Sequence, residues 1–216
     1  MPSKHSYAIV LIRIPNRGHL EEKEQENERI HELINQPKIA QFLLSPYSRN
    51  IKSEFQGIFE SGTGLIRHLF LIRDALYPIK PQFSIGIGTV DNAINKVAAV
   101  VIEGAGIKNA ELGFKSLQKQ STALQINGFT RSIDALMHPL CDLLWHSTDN
   151  WNQNRLKILN AKLEGANEKA IHAALSISER AVYKSIRDAH LMTWIALINE
   201  LEANITKALL QNRQID

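Results

Sequence analysis

Residues 167–186 carry the pattern that most restricts what this chain can fold into. Apolar side chains recur at helical spacing on both sides of the turn residues 176–178: Ile171, Leu175, Ile177, Val182 and Ile186. Asn167 and Ser178 stand where a side-chain oxygen can accept from an unpaired backbone N–H one turn into each helix. The spacing predicts two short helices that clasp one small core, which is typical of a helix-turn-helix.

Two positions depart from the usual pattern of such motifs. His172 stands where a small residue normally packs against the second helix, so it would require local repacking. Ser176 stands where glycine normally makes the turn at positive φ. In a working motif the second helix lies in the major groove of double-stranded DNA. The alternative is a helical hairpin that only packs or dimerises.

Basic residues are concentrated around this motif, although the net charge of the chain is only +3. Residues 155–187 contain seven Lys and Arg against three Glu. At the start and on the exposed side of the second helix, the candidates for contact with bases or phosphates are Glu179, Arg180, Tyr183 and Lys184. The candidates for backbone contacts are Arg155, Lys169 and Arg187. A solvated helical surface would show a similar excess of charge.

Composition is ordinary for a soluble globular protein, with 44% hydrophobic and 22% charged residues. The single cysteine, Cys141, lies in an apolar segment, so we expect a buried structural thiol in a reducing compartment. The first apolar run ends at Ile14 and is interrupted by Arg13. That run is too short for a signal peptide or a membrane span, and no later run reaches spanning length, so we expect a cytoplasmic protein without membrane contact.

The order of predicted elements indicates an α+β fold. A strand buried on both faces is predicted at residues 7–14, a helix at 20–35, a strand pair at 47–51 and 55–59, and a helix at 65–76. The order continues with a strand at 82–90, a helix at 107–119 and a short strand or turn at 125–128. A mixed sheet with packed helices, ferredoxin-like or of the cyclase-palm type, accounts for this order.

After residue 130 the sequence predicts only helices. They cover residues 130–145, with Pro139 as a possible kink, then 151–163, the motif and 189–210. We therefore predict two domains, an α+β domain at 1–128 and an all-helical helix-turn-helix domain at 129–216. Gly86 and Gly88 share one face of the strand at 82–90, where we expect a helix to pack closely rather than a phosphate loop.

Three stretches resemble the SatD-like family, bacterial proteins with a nucleotide-cyclase-like palm and a C-terminal helix-turn-helix. They are Ser-Glu-Phe-Gln-Gly at 53–57, Phe-Ser-Ile-Gly-Ile-Gly at 83–88 and Glu-Gly-Ala-Gly at 103–106, which leads into a helix with Ala110. Their order and spacing match the family, and the C-terminal motif falls where the family places it. The resemblance covers most of the chain.

The chain departs from the family at two aspartates. The family has Gly-Asp-Ile at the end of the first strand and Gly-Asp-Glu-Phe-Gln-Gly in the hairpin, whereas this chain has Arg13 and Ser53 at the aspartate positions. In palm and cyclase folds, carboxylates at these places hold divalent metals. Two like charges about 4 Å apart repel by about 4 kcal/mol at an effective dielectric of about 20. Arg13 therefore disfavours Mg²⁺ bound by Glu54 alone, and we predict no metal, no cofactor and no nucleotidyl chemistry.

A small anionic ligand held without metal is a weaker hypothesis for this region. Its binding residues would be Arg13, Arg17, Arg49 and Lys52. The alternative is a plain ion pair between Arg13 and Glu54. The eight histidines form no metal-ligand spacing, and the sequence has no recognisable catalytic triad.

The sequence thus predicts a DNA-binding, transcription-regulating homodimer, with a catalytically degenerate N-terminal domain that serves dimerisation or ligand sensing. The apolar stripe of the last helix is the expected dimer element. Two alternatives remain open: a metal-dependent nucleotide-binding or nucleotidyl-transfer enzyme of the cyclase type, and a protein-interaction module that does not bind DNA.

Overall fold

A computed structural model describes residues 5–15, 20–117 and 123–211. Within these ranges one mixed sheet is formed, in the spatial order β2-β3-β1-β4-β5. Its strands are β1 (Ser6–Arg13), β2 (Ser45–Arg49), β3 (Phe55–Phe59), β4 (Gln82–Thr89) and β5 (Leu124–Asn127). All neighbouring pairs are antiparallel except β4 and β5, which run parallel. Because β1 lies in the centre, its run of aliphatic side chains is buried on both faces, as the sequence predicted.

Apart from a short helix at 37–40, for which no separate range was predicted, the helices of the described residues agree with the predicted ranges to within two or three residues. They are α1 (Leu20–Ile34), α2 (Pro37–Ala40), α3 (Leu65–Ala75), α4 (Ala105–Leu117), α5 (Arg131–Ser147), α6 (Gln153–Leu163), α7 (Glu168–Leu175), α8 (Glu179–Asp188) and α9 (Leu191–Gln211). Pro139 lies inside α5. The α+β class is confirmed, with a mixed sheet followed by a helical region. Within the described residues, no helix combines the length and the apolar character needed to cross a membrane.

Helix α4 covers one face of the sheet. Ala110 and Phe114 of α4 pack with Ile9 and Leu11, the side chains of β1 that point to this face. A Cβ added to Gly86 would clash with the backbone at the start of α4. The bare glycine face of β4 therefore lets α4 approach the strand, which confirms the helix-packing interpretation.

The other face of the sheet and helices α5–α9 share one continuous hydrophobic core. Phe70 of α3 lies at its centre, with ring centroids 5.4 Å from Trp145, 6.3 Å from Trp151 and 5.7 Å from Trp194. The predicted domain boundary falls at Gly128, between β5 and α5. Since the cores on the two sides of that boundary are contiguous, the helical region packs directly on the sheet.

Two buried charged residues add polar contacts between the two regions. Glu202 of α9 accepts from the backbone N–H groups of Gly64 (2.9 Å) and Arg67 (3.0 Å), at the start of α3. Arg73 of α3 donates to the carbonyl oxygen and the hydroxyl of Thr148, which follows α5. Burial lowers the pKa of Arg73 to about 10, and its guanidinium lies 4.8 Å from the centre of the Trp145 ring.

The apolar stripe of α9 is buried inside its own chain. Its members Leu191, Trp194, Ile198, Ile205 and Leu209 belong to the common core, while Ile195 and Leu201 are partly buried against it. The stripe therefore does not form the free dimer element that the sequence analysis expected. Its apolar surface is already used to hold the helix on α3 and on strands β1 and β4.

Candidate functional site

Helices α7 and α8 begin as predicted, each with a side-chain cap. The Asn167 side-chain oxygen accepts from the backbone N–H of Ala170 at 2.9 Å. The Ser178 hydroxyl accepts from the backbone N–H of Ala181 at 3.2 Å. Both capping residues have extended backbone dihedrals, and each satisfies a donor that the first turn of a helix leaves free. These caps fix the start of both helices.

The turn between the two helices differs from the expected packing at both unusual positions. Ser176 adopts the left-handed conformation with φ 52° and ψ 37°, which is where glycine would normally stand. His172 is exposed, so no repacking against α8 is needed. Its Nδ1–H donates to the carbonyl oxygen of Ile177 in the turn, because a carbonyl can only accept. His172 therefore braces the turn instead of occupying the contact between the helices.

The small core of the motif forms from the predicted apolar residues. Ile171 of α7 and Val182 of α8 are buried, and Leu175, Ile177 and Ile186 pack partly buried against the common core. Helix α8 also packs on α6 and α9. One side of α8 is thus held on three neighbouring helices, and the opposite side is left to solvent.

The exposed side of α8 carries a stripe of three cations and one aromatic residue: Arg180, Tyr183, Lys184 and Arg187. We call this set the α8 face. Tyr183, Lys184 and Arg187 follow Arg180 by three, four and seven residues, so all four lie on one side of the helix, opposite Val182. Tyr183 is 56% exposed. Arg187 pairs with the adjacent Asp188 at 3.0 Å, whereas Arg180 and Lys184 form no ion pair with any residue that the structure describes.

The other three predicted DNA-contact residues lie outside the α8 face. Glu179 is exposed in the first turn of α8, where the helix dipole favours a negative charge. Lys169 is exposed in the first turn of α7. Arg155 of α6 is half-buried, and its Nε lies 3.4 Å from the hydroxyl of Ser185, on the inner side of α8. Arg155 is therefore placed to support α8 from behind, and it does not lie on the α8 face.

The second predicted site centres on an ion pair. Arg13, at the end of β1, donates to the Glu54 carboxylate at 2.7 Å, and its guanidinium lies 4.3 Å from the centre of the Phe114 ring. Glu54 is 3% exposed and also accepts from the Asn50 amide at 3.1 Å. This geometry confirms the ion-pair alternative. The carboxylate that a metal would need is already occupied by a guanidinium.

The anion-site hypothesis is not supported by the two further cations that the structure describes there. Arg49 forms a bidentate ion pair with Glu24, in which its two terminal nitrogens donate to the two carboxylate oxygens at 2.7 and 2.9 Å. These hydrogen bonds lower the pKa of the Glu24 carboxyl. Lys52 pairs with Glu111 of α4 at 2.5 Å, which raises the pKa of the lysine. Each cation thus has its own carboxylate and is not left open for an anion. Arg17, the fourth predicted member, lies outside the described residues.

The acidic partners Glu24 and Glu111 were not identified from the sequence. Both come from helices far along the chain from the cations, so no local sequence pattern links an acidic residue to its cation.

Cys141 is buried as predicted, and burial raises the pKa of its thiol to about 12. Among residues 5–15, 20–117 and 123–211, no three His, Cys, Asp or Glu side chains come together as metal ligands.

No protein family model, curated protein or solved structure matches this chain. The choice between candidate functions therefore depends on the geometry of the chain itself.

Proposed function

We propose that this protein binds double-stranded DNA through a helix-turn-helix formed by α7 and α8, and that it acts as a transcriptional regulator. The observation that carries the proposal is the α8 face. Arg180, Tyr183 and Lys184 project from the side of α8 opposite its core contacts, and the two cations have no carboxylate partner among the described residues. A helix presented in this way has the shape and charge that the major groove accepts.

The cations of the α8 face, two of them unpaired among the described residues, favour a polyanion as the partner of this face over contact with solvent alone. A surface cation on a helix can pair with an acidic residue three or four positions away. On α8 only Arg187 has an acidic partner, the adjacent Asp188, and that pair is highly exposed. Cations that bind phosphates release condensed counterions, which makes binding strongly dependent on salt.

Each residue has a distinct role in this proposal. Arg180 and Lys184 contact base edges or phosphates, Tyr183 packs on the backbone or on a thymine methyl, and Glu179 can accept from a cytosine amino group. Lys169 and Arg187 contact phosphates and set the position of the helix. Arg155 acts indirectly, through Ser185, by holding α8 in place.

For the sheet we propose a non-catalytic palm of the type found in the SatD-like family. Strands β1–β4 with helices α1 and α3 on one face follow the split βαβ order of ferredoxin-like folds, and this order supports the proposal. The Arg13–Glu54 ion pair supports the non-catalytic role, since it uses the remaining acidic residue of the hairpin. A flat calorimetric titration with Mg²⁺ and ATP or GTP is expected, and a metal-dependent binding signal would favour the enzyme alternative.

The proposal is tested by titrating labelled duplex DNA with the full chain at several salt concentrations. We expect log Kd to rise linearly with log salt concentration. Lys184→Ala and Arg180→Ala should each reduce that slope by about 1, because each variant leaves one phosphate without its cation. Lys96→Ala is the matched control, because Lys96 is also exposed but lies in the loop between β4 and α4.

Two outcomes would decide against the proposal. Undetectable binding at low salt would leave the motif as a protein-interaction module. Binding with an unchanged salt slope in the α8 variants, or an equal reduction in Lys96→Ala, would place the DNA contact elsewhere on the chain.

A further inference from the structure

Helices α5 and α9 leave an apolar groove between them. Both pack on the sheet, α5 against β5 and α9 against β1 and β4, without closing over the space that separates them. The groove encloses about 470 Å³. Its apolar lining includes Leu136, Met137 and Leu140 from α5 and Leu197, Leu201 and Ala208 from α9. We call this groove and the helix surfaces beside it the α5/α9 face.

Helix α5 also presents apolar side chains outward along this face. Ile133, Leu136, Leu140 and Leu143 follow one another at intervals of three and four residues, so they form a stripe along one side of the helix. Leu136 is 65% exposed and Leu143 is 73% exposed. Single exposed leucines are common, but a stripe beside an open apolar groove is the pattern of a contact surface.

The charges on the rim of the groove are arranged for self-association. Glu200 and Lys207 are both exposed on α9 and line the groove, and neither forms an ion pair with a described residue. They are seven residues apart, which is two helical turns or about 10 Å along the same side of the helix. Asn204 lies between them. A two-fold axis through this point would set each Glu200 against Lys207 of a second copy, because a two-fold axis pairs residue i with j and j with i.

We propose that the α5/α9 face is the interface of a homodimer in which the two α9 helices run antiparallel. The exposed leucines of α5 in one copy enter the groove of the other, and the two Glu200–Lys207 pairs close the rim. Two helices of this length side by side offer a face of about 25 by 20 Å. This is about 500 Å² in projection, somewhat less than the roughly 800 Å² of accessible surface that each partner of a stable complex buries.

This interface uses the side of α9 next to the stripe that is buried in the chain's own core, and Leu201 lies at the border between the two. It goes beyond DNA binding by naming a second copy as the partner. The role of the dimer rests on the proposed function: it would present two α8 helices to two DNA half-sites. The interface itself does not depend on DNA binding.

The test measures the molar mass of the full chain by light scattering after gel filtration, and the dimer dissociation constant by sedimentation, both without DNA. Leu136→Asp should give a monomer. Glu200→Lys and Lys207→Glu should each weaken the dimer by about tenfold or more, because every repulsive contact occurs twice across the axis. The double variant Glu200→Lys with Lys207→Glu exchanges the two charges and should restore the dimer.

Met192→Asp is the matched control, since Met192 is exposed on α9 but does not line the groove. It should remain dimeric, and circular dichroism should show the same fold in all variants. A monomeric wild-type chain, a dimer that survives Leu136→Asp, or a double variant that stays monomeric would each overturn the interface. Titration of duplex DNA with the same variants separates the two proposals. A wild-type dimer that does not bind DNA overturns only the proposed function. A wild-type monomer that binds DNA overturns only the proposed interface.

Discussion

The imidazole of His68 projects from α3 and is fully buried in the core against β2, the edge strand of the sheet. Its Nδ1–H donates to the carbonyl oxygen of Ile39 at 2.8 Å, so its Nε2 is free to accept from the Tyr47 hydroxyl at 2.9 Å. The rings of Tyr47 and Phe59 pack against it, with centroids 5.5 and 5.1 Å away. Burial lowers the pKa of His68 to about 4 and raises the pKa of Tyr47 well above its ordinary value.

This shift predicts how stability depends on pH. Above about pH 6.5 the imidazole is neutral in both the folded and the unfolded chain. Between pH 6.5 and 4 only the unfolded chain takes up the proton, so the free energy of unfolding falls with pH. The contribution of His68 is roughly 3 kcal/mol over this interval. Urea unfolding of the wild type and of His68→Gln at a series of pH values measures it.

The difference in unfolding free energy between the wild type and His68→Gln isolates the effect of His68, because the carboxylates titrate in both proteins. We expect the wild type to lose more stability than His68→Gln as the pH falls. Parallel pH profiles would show that His68 is not buried as a neutral imidazole.

At the scale of elements, the turn between α7 and α8 combines a favourable serine with an unfavourable one. Ser178 caps α8 from an extended conformation, which is where serine is a preferred residue. Ser176 lies in the left-handed region, where an L side chain crowds the backbone. The apolar contacts of Ile171 and Val182 hold the helices together and so impose the conformation of Ser176.

The same substitution at the two serines should therefore have opposite effects. Ser176→Gly is expected to stabilise the chain by about 1 kcal/mol, because glycine adopts positive φ without a Cβ clash. Ser178→Gly should destabilise it by a few tenths of a kcal/mol, because the cap is removed. Thermal unfolding measures both changes, and a destabilised Ser176→Gly variant would contradict the left-handed turn.

At the scale of the whole molecule, the sheet and the helical region depend on each other through their shared core and the buried Glu202. No side chain of α3 itself caps that helix, so the Glu202 carboxylate of α9 supplies the acceptor for Gly64 and Arg67. Gly62 lets the loop before α3 lie against α9, because a Cβ there would meet the Glu202 carbonyl oxygen. We expect the sheet and the helices to unfold together.

Glu202→Ala should lower the free energy of unfolding by about 2–3 kcal/mol, because two backbone donors bonded to a charged group lose their acceptor. The decrease should be seen equally by far-ultraviolet circular dichroism, which follows the whole chain, and by fluorescence of Trp145, Trp151 and Trp194, which lie in the helical region. Replacement of the exposed Glu32 by Ala provides the control and should change stability little. Two separate transitions would show that the sheet and the helices fold independently.

The sequence by itself determined the features that depend on local pattern. Spacing located the strands and helices, the short polar residues Asn167 and Ser178 indicated the helix caps, and the apolar run of β1 indicated a strand covered on both faces. The α8 face could be derived in the same way, because residues on one side of a helix follow from its period. Glu202 could also have been found, since it interrupts the apolar series Ile198, Ile205 and Leu209 with a carboxylate.

Only the tertiary structure decided which distant residues meet. It paired Arg49 with Glu24 and Lys52 with Glu111, two acidic partners that no local pattern indicated. It also assigned the apolar stripe of α9 to the chain's own core. The physical reason is that periodicity fixes which side of an element is apolar or charged, whereas the surface that covers that side depends on how the whole chain packs.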